Sequence, residues 1–237
     1  MKTRTLHDWQ VTMDQAKAIQ SKLATLVSTK SELGSPQLIA GVDISSPNAR
    51  GIAAGAVVIL SYPQLKVLEV KVAEQRIGFP YVPGLLSFRE APLILAAYQK
   101  LTMSPDLILV DGQGMAHPKR LGLASHLGLL LDVPTIGCAK SRLCGVHEPV
   151  GEASGSFTEL RDGNEVIGAV LRTKNKVNPL YISIGHKIDL ETAIFWVMQC
   201  CRGYRIPEPT RLAHLAAASR LESREGLQQR EELSAKT

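Results

Sequence analysis

A change of hydrophobic period near residue 80 constrains this chain more than any other feature. Before it, three strand-like stretches at 38–44, 52–62 and 66–76 follow one another, separated by short turns at Pro47-Asn48 and Pro63-Gln64. Connections that short favour an antiparallel meander. After it, helical and strand periods alternate: 85–101 reads as a helix, 106–110 as a strand, 119–131 as a helix and 134–137 as a strand. Strand–helix–strand units require parallel pairing with a right-handed crossover. The expectation is an α/β fold, a mixed sheet of an antiparallel three-stranded meander plus parallel strands, flanked by helices.

The remaining segments fit around that sheet. Residues 9–33 place Trp9, Val11, Met13, Ala16, Ile19, Leu23 and Leu26 at three- and four-residue steps, the period of an amphipathic helix. Residues 145–163, rich in Gly, Ser and Glu, read as a surface loop, and 166–172 and 180–185 as two further strands. A helix is expected over 190–201 and another over 210–219, with Thr210 as its N-cap. One domain spanning 1–220 and a loosely ordered tail at 221–237 complete the outline.

Composition narrows the class. The 45% hydrophobic and 21% charged content excludes wholesale disorder. The longest apolar stretch, Gly51 to Leu60, falls short of the roughly 18 residues a membrane span needs, and the first residues lack the apolar core of a signal peptide. A soluble, cytoplasmic, monomeric protein is expected. The net charge of +5 admits a polyanionic partner without requiring one. Cys138, Cys144, Cys200 and Cys201 contain no C-x-x-C pair and read as reduced thiols. A zinc site could be built on Cys138, Cys144 and His147, though their spacing matches no common zinc pattern.

Three acids stand out. Asp43 interrupts an apolar strand, Asp111 directly follows the apolar Leu107-Ile108-Leu109-Val110, and Glu90 lies near a helix start. Singly, each has an ordinary reading: a strand-end turn cap for Asp43, a favourable first-turn acid for Glu90. Ligands gather beyond the carboxyl ends of parallel strands, which favours a functional Asp111. Convergent carboxylates repel one another unless a cation neutralises them, and hard oxygen ligands select Mg²⁺ or Mn²⁺. Lys140 occupies a strand-end position like that of Asp111, suited to a phosphate. Pro80-Tyr81-Val82-Pro83-Gly84 lacks two amide donors and should project as a stiff loop with an aromatic tip. Such a tip suits insertion into a base stack, or a rigid turn whose tyrosine packs at home. Between Asp111 and Arg120, Gly112 and Gly114 allow close backbone approach, His117 offers a donor, and Lys119-Arg120 offers phosphate contacts at a helix start. His126 and His214, each set among apolar helix residues, read as buried structural histidines.

Together these stretches resemble the endonuclease V family of deoxyinosine-directed repair nucleases. The matching residues are Gly41-Val42-Asp43, Pro80 through Gly84, Leu86-Ser87-Phe88-Arg89-Glu90, Val110-Asp111-Gly112 with Gly114, and His117-Pro118. They continue with Ala124-Ser125-His126, Pro134 through Gly137, Ala139-Lys140, Gly203-Tyr204-Arg205 and Pro207 through Arg211. The resemblance implies a ribonuclease-H-like fold, with Asp43 and Asp111 holding Mg²⁺ (Mn²⁺ able to substitute), Glu90 completing the acidic site and His214 at its edge. It implies a wedge of Pro80, Tyr81, Val82 and Pro83, a pocket for a flipped base from Gly84, Leu86, Gly112, Gly114 and His117, and Lys140 facing the phosphates. Gln113 departs from the pattern, where many bacterial relatives carry His. The implied activity is Mg²⁺-dependent nicking of the second phosphodiester 3′ to hypoxanthine in single- or double-stranded DNA, with inosine-containing RNA as a further partner. Two rivals remain at this stage. A general ribonuclease-H-like nuclease needs no single-base pocket, and a non-catalytic lesion binder has no use for three crowded acids.

Overall fold

The computed structural model describes residues 1–219. One eight-stranded sheet runs in the order β3-β2-β1-β4-β5-β8-β7-β6. The meander is β1 (Leu38–Ile44), β2 (Ile52–Ser61) and β3 (Val67–Arg76), antiparallel throughout. Strands β4 (Leu107–Val110) and β5 (Thr135–Ala139) extend it in parallel from β1. β8 (Leu180–His186), β7 (Glu165–Leu171) and β6 (Phe157–Asp162) then pair antiparallel out to the far edge. The central strands are covered on both faces, which is why they read as continuous apolar runs rather than alternating ones.

Period-two alternation sorts the core. Ile39, Leu107, Leu109, Ile136 and Cys138 face α4 (Leu190–Gln199) and α5 (Glu208–Ala217). Ala40, Val42, Ile108 and Val110 face α2 (Leu86–Tyr98) and α3 (Leu123–Leu131). Two glycines set how closely the helices approach. A Cβ at Gly41 would lie 1.9 Å from the Pro209 carbonyl oxygen, and one at Gly55 would lie 2.6 Å from the Leu93 carbonyl. Their absence of a side chain lets α5 and α2 rest directly on β1 and β2. No helix among the described residues is long and apolar enough to cross a membrane.

Several boundaries differ from expectation, each for a local reason. The first helix, α1, spans only Met13–Ala24, not 9–33. Thr12 caps it in a reciprocal box with Gln15, while Trp9 packs before the helix against His7 and His126. Beyond the helix, the Ser28 amide turns to His186 Nδ1. The segment expected as a loop over 145–163 contains β6, an edge strand with too few buried residues to show an apolar period. α3 starts at Leu123, so Lys119-Arg120 precedes it rather than opening it. The Arg120 guanidinium is held by Asp162 and Glu165 at 2.9 and 2.8 Å and is not free for a phosphate. α5 starts two residues early, at Glu208, and the Thr210 hydroxyl donates to the Pro207 carbonyl instead of capping. The tail expected at 221–237 lies outside the described residues.

Candidate metal centre and adjoining pocket

Three parallel strands deliver the polar groups to one edge. Asp43, Asp111 and Lys140 each continue the row of side chains that faces α5, at or just beyond the carboxyl ends of β1, β4 and β5. The register Val42↔Val110↔Gly137 sets them side by side, and the Asp111 amide donates to the Val42 carbonyl at 3.2 Å. Asp43 Oδ1 accepts from the Ile44 amide and Oδ2 pairs with His214 Nδ1, both at 2.8 Å. Asp111 Oδ2 forms an ion pair with Lys140 Nζ. Both aspartates are nearly buried, at 12% side-chain exposure, whereas Lys140 and His214 are open at 38% and 55%.

Glu90 enters from α2, one turn in from its start at Leu86. Burial pushes its carboxyl up to about 7, and the charges of Asp43 and Asp111 add to the rise. Asp43 is raised too, first by burial and then by Asp111, against the opposing pull of the Ile44 amide, His214 and Lys140. Carboxyls raised first by burial and then by one another's charge mark a place short of positive charge. The Lys140 ammonium resting on Asp111 supplies part of it. The donor set is carboxylate oxygen, which suits a hard divalent cation. Among the described residues no three His, Cys, Asp or Glu side chains already form a closed metal cage. An ion that keeps several of its waters and takes few carboxylates matches that openness.

His214 overturns the buried reading taken from its helix and lies where the resemblance set it, at the edge of the acids. It lies on the outer side of α5, opposite the buried Leu212, Ala213, Ala216 and Ala217, and reaches Asp43. His126 is fully buried, as read, and burial lowers it to about 3. The zinc candidates do not converge; His147 Nδ1 instead meets the neighbouring Glu148 carbonyl at 2.8 Å. All four cysteines are free thiols.

Beside the acids lies a cavity of about 140 Å³. A cavity of roughly 150 Å³ accepts a benzene ring, so this one suits a single planar heterocycle. Tyr81, Val82, Pro83, Gly84, Leu86 and Ser87 form one wall; Gly112, Gln113, His117 and residues 121–123 form the other, with Leu143 at the rim. Tyr81 itself is 72% exposed at the loop tip. Gly84 has φ +82, in the left-handed region that glycine alone enters readily. His117 is buried against the Gly84 turn, takes the Lys119 amide on Nδ1 at 3.1 Å, and is lowered to about 4 by burial with Arg120 adding. It is therefore a neutral ring at pH 7.

Three pocket features were illegible or misread in the sequence. Gly114 does not line the cavity: a Cβ there would lie 2.1 Å from the Ile184 carbonyl oxygen, so this glycine is required by its packing on β8. Gln113 donates from Nε2 to the Ser141 carbonyl at 2.9 Å, bracing one wall against the loop after β5. Gln20, buried on α1, donates to the Gly84 carbonyl at 2.8 Å and the Leu121 carbonyl at 3.1 Å, and so ties both walls together. Its signal was available: a glutamine on the buried side of the helix, between Ala16 and Leu23.

A family model described as Endonuclease V matches residues 21–215. An Endonuclease V of Dehalococcoides mccartyi is 52% identical over 218 residues, covering 92% of this chain and 98% of that protein. The crystal structure of Endonuclease V from Bacillus subtilis superimposes with a TM-score of 0.88 at 31% identity, over 92% of this chain and 96% of that one. Endonuclease V of Ciona intestinalis, solved in complex with a 24mer DNA containing an inosine followed by a ribo-adenosine, gives 0.75 at 28% identity, over 87% of this chain and 96% of that one.

Proposed function

The chain belongs to the endonuclease V family, and on that premise we propose that it is a DNA repair endonuclease that recognises hypoxanthine and nicks the second phosphodiester on its 3′ side. The observation that carries this reading is the juxtaposition of mutually repelling carboxylates, Asp43, Glu90 and Asp111, with a cavity for one base behind a proline-stiffened loop.

Recognition precedes chemistry. Pro80 and Pro83 stiffen the loop, so Tyr81 enters the duplex at small entropic cost and fills the stack that the flipped base leaves. Hypoxanthine offers O6 as acceptor and N1–H as donor, and adenine offers the reverse, so fixed backbone groups along Gly84 and Gly112 discriminate between them. Guanine shares that edge but adds an amine at C2, which a close wall excludes. His117, neutral at pH 7, adds no net charge to a pocket built for a neutral base.

Hydrolysis forms a bond from water to phosphorus as the bond to the 3′-oxygen breaks, leaving 3′-hydroxyl and 5′-phosphate ends. Asp43 and Asp111 would hold a divalent cation, Mg²⁺ with Mn²⁺ able to replace it, and Glu90 completes the acidic set. When bound, such an ion neutralises charge building on the phosphate oxygens. His214 fixes the Asp43 carboxylate through its one hydrogen bond. Lys140 faces the phosphates and offsets their charge from beside Asp111. Free thiols throughout support a cytoplasmic setting, and large exposed apolar residues scattered over many elements support a monomer.

Asp43→Ala and Asp111→Ala should each lower the nicking rate on an inosine oligonucleotide at least a hundredfold while leaving lesion binding within about threefold. Both should fold, since each removes a source of repulsion. Near-wild-type cleavage by either variant would contradict the assignment.

A further inference from the structure

The stiff loop has a cavity on each flank. Residues 81–84 border the small pocket, whereas residues 78–80 border a groove of about 540 Å³ that shares no lining residue with it. We propose that this groove receives the nucleotide of the undamaged strand that had faced the lesion. The inference rests on the reading of residues 80–83 as a wedge.

A wedge that opens one base pair frees two bases. The smaller pocket holds one, and the other needs a surface on the opposite flank. The groove offers the three kinds of group such a nucleotide requires. Half-buried Trp9 supplies an apolar face for a base, above a floor that buried Phe79 and Phe88 complete. Gln10 and Gln75 are exposed amides that both donate and accept, which suits a site that must tolerate any base opposite the lesion. Arg76 and Arg89 supply positive charge for phosphates, and the described lining contains no carboxylate. Arg89 Nη1 is committed to the Phe79 carbonyl at 2.9 Å, so it shapes the floor. Arg76, at the end of β3, is exposed and has no carboxylate partner among the described residues. The larger volume accommodates sugar and phosphate as well as a base.

The test compares three DNA ligands in metal-free buffer by fluorescence anisotropy: a duplex with a central inosine, the same duplex lacking the single nucleotide opposite inosine, and the inosine strand alone. Arg76→Glu should weaken binding to the intact duplex about tenfold and reduce its log–log salt slope by about one. The gapped duplex and the single strand should change by less than about twofold, because the nucleotide that Arg76 serves is missing from both. Equal losses on intact and gapped duplexes would show a general pull on duplex DNA and overturn the inference, as would no loss on any ligand. Failure of the wedge reading itself shows differently: Tyr81→Ala would weaken binding to the intact inosine duplex and to the inosine strand equally, and this proposal would fall with it.

Discussion

Glu90 sits where an anion is least stable, and this gives the metal-free protein a predictable response to pH. Its carboxyl is raised from its usual 4.5 to about 7, first by burial and then by Asp43 and Asp111. Between those values the folded state holds a proton that the unfolded state has released. The favourable contribution is therefore complete below pH 4.5 and is lost as pH rises through 7. Glu90→Gln should raise the melting temperature of chelator-treated protein at pH 8 by roughly 5 °C, on the order of 2 kcal/mol after allowing for partial exposure, and change it little at pH 4.5. His117 and His126, lowered to about 4 and about 3 chiefly by burial, act in the other direction. Their unfolded forms take up protons first, so stability falls as pH drops below 6.5 in wild type and variant alike, and the difference isolates Glu90. An equal gain at both pH values would contradict the electrostatic account. His214 tests the same site with metal present: His214→Ala should raise the Mg²⁺ concentration for half-maximal rate several-fold with little change in stability. Asp43 and Asp111 were visible in the sequence because each meets an apolar strand. His214 was read from its helix as buried, since Leu and Ala surround it, and its true direction depends on a helical phase that composition does not reveal.

At the scale of elements, glycine positions separate pocket from scaffold. A Cβ at Gly112 would come nearest to the Leu123 side chain at 3.4 Å and Val110 at 3.8 Å, ordinary van der Waals contacts, so Gly112→Ala should fold normally and narrow the base pocket. Inosine affinity should fall while the melting temperature holds. Gly114→Val would press on the Ile184 carbonyl and should lower the melting temperature by roughly 5–10 °C, the size of an overpacked core. A variant at Gly114 that melts like wild type would contradict its assignment to packing. For the loop, Tyr81→Ala should weaken binding to an inosine duplex more than to the single strand, where no stack needs opening. Equal losses would leave Tyr81 without a wedge role. The strands β1 to β3 were legible to within a residue or so, because turn residues punctuate them and their apolar runs are long. β6 was hidden because an edge strand buries one residue, Leu160, and otherwise carries polar or exposed groups. Part of the pocket's second wall was hidden for a different reason: residues 121–123 and Leu143 join Gly112 and His117 from farther along the chain, and Gln20 joins from α1 through two hydrogen bonds that no spacing rule encodes.

For the whole molecule, sheet order decides where chemistry can occur. Placing β1 between an antiparallel neighbour and the parallel β4 brings the ends of β1, β4 and β5 to one edge. α2 and α5, lowered onto the sheet at Gly55 and Gly41, carry Glu90 and His214 to that edge. The loop of residues 80–83, leading into α2, puts the base pocket beside it. Recognition and cleavage are thus a fixed distance apart, and a fixed distance implies a fixed cutting position relative to the lesion. Mapping the nick on an end-labelled strand with one central inosine measures that directly. With Mg²⁺ the account predicts a single product ending at the second phosphodiester 3′ to inosine, no product with chelator, and none on the adenine control. Cleavage scattered along the strand, or equal cleavage of the adenine strand, would contradict it.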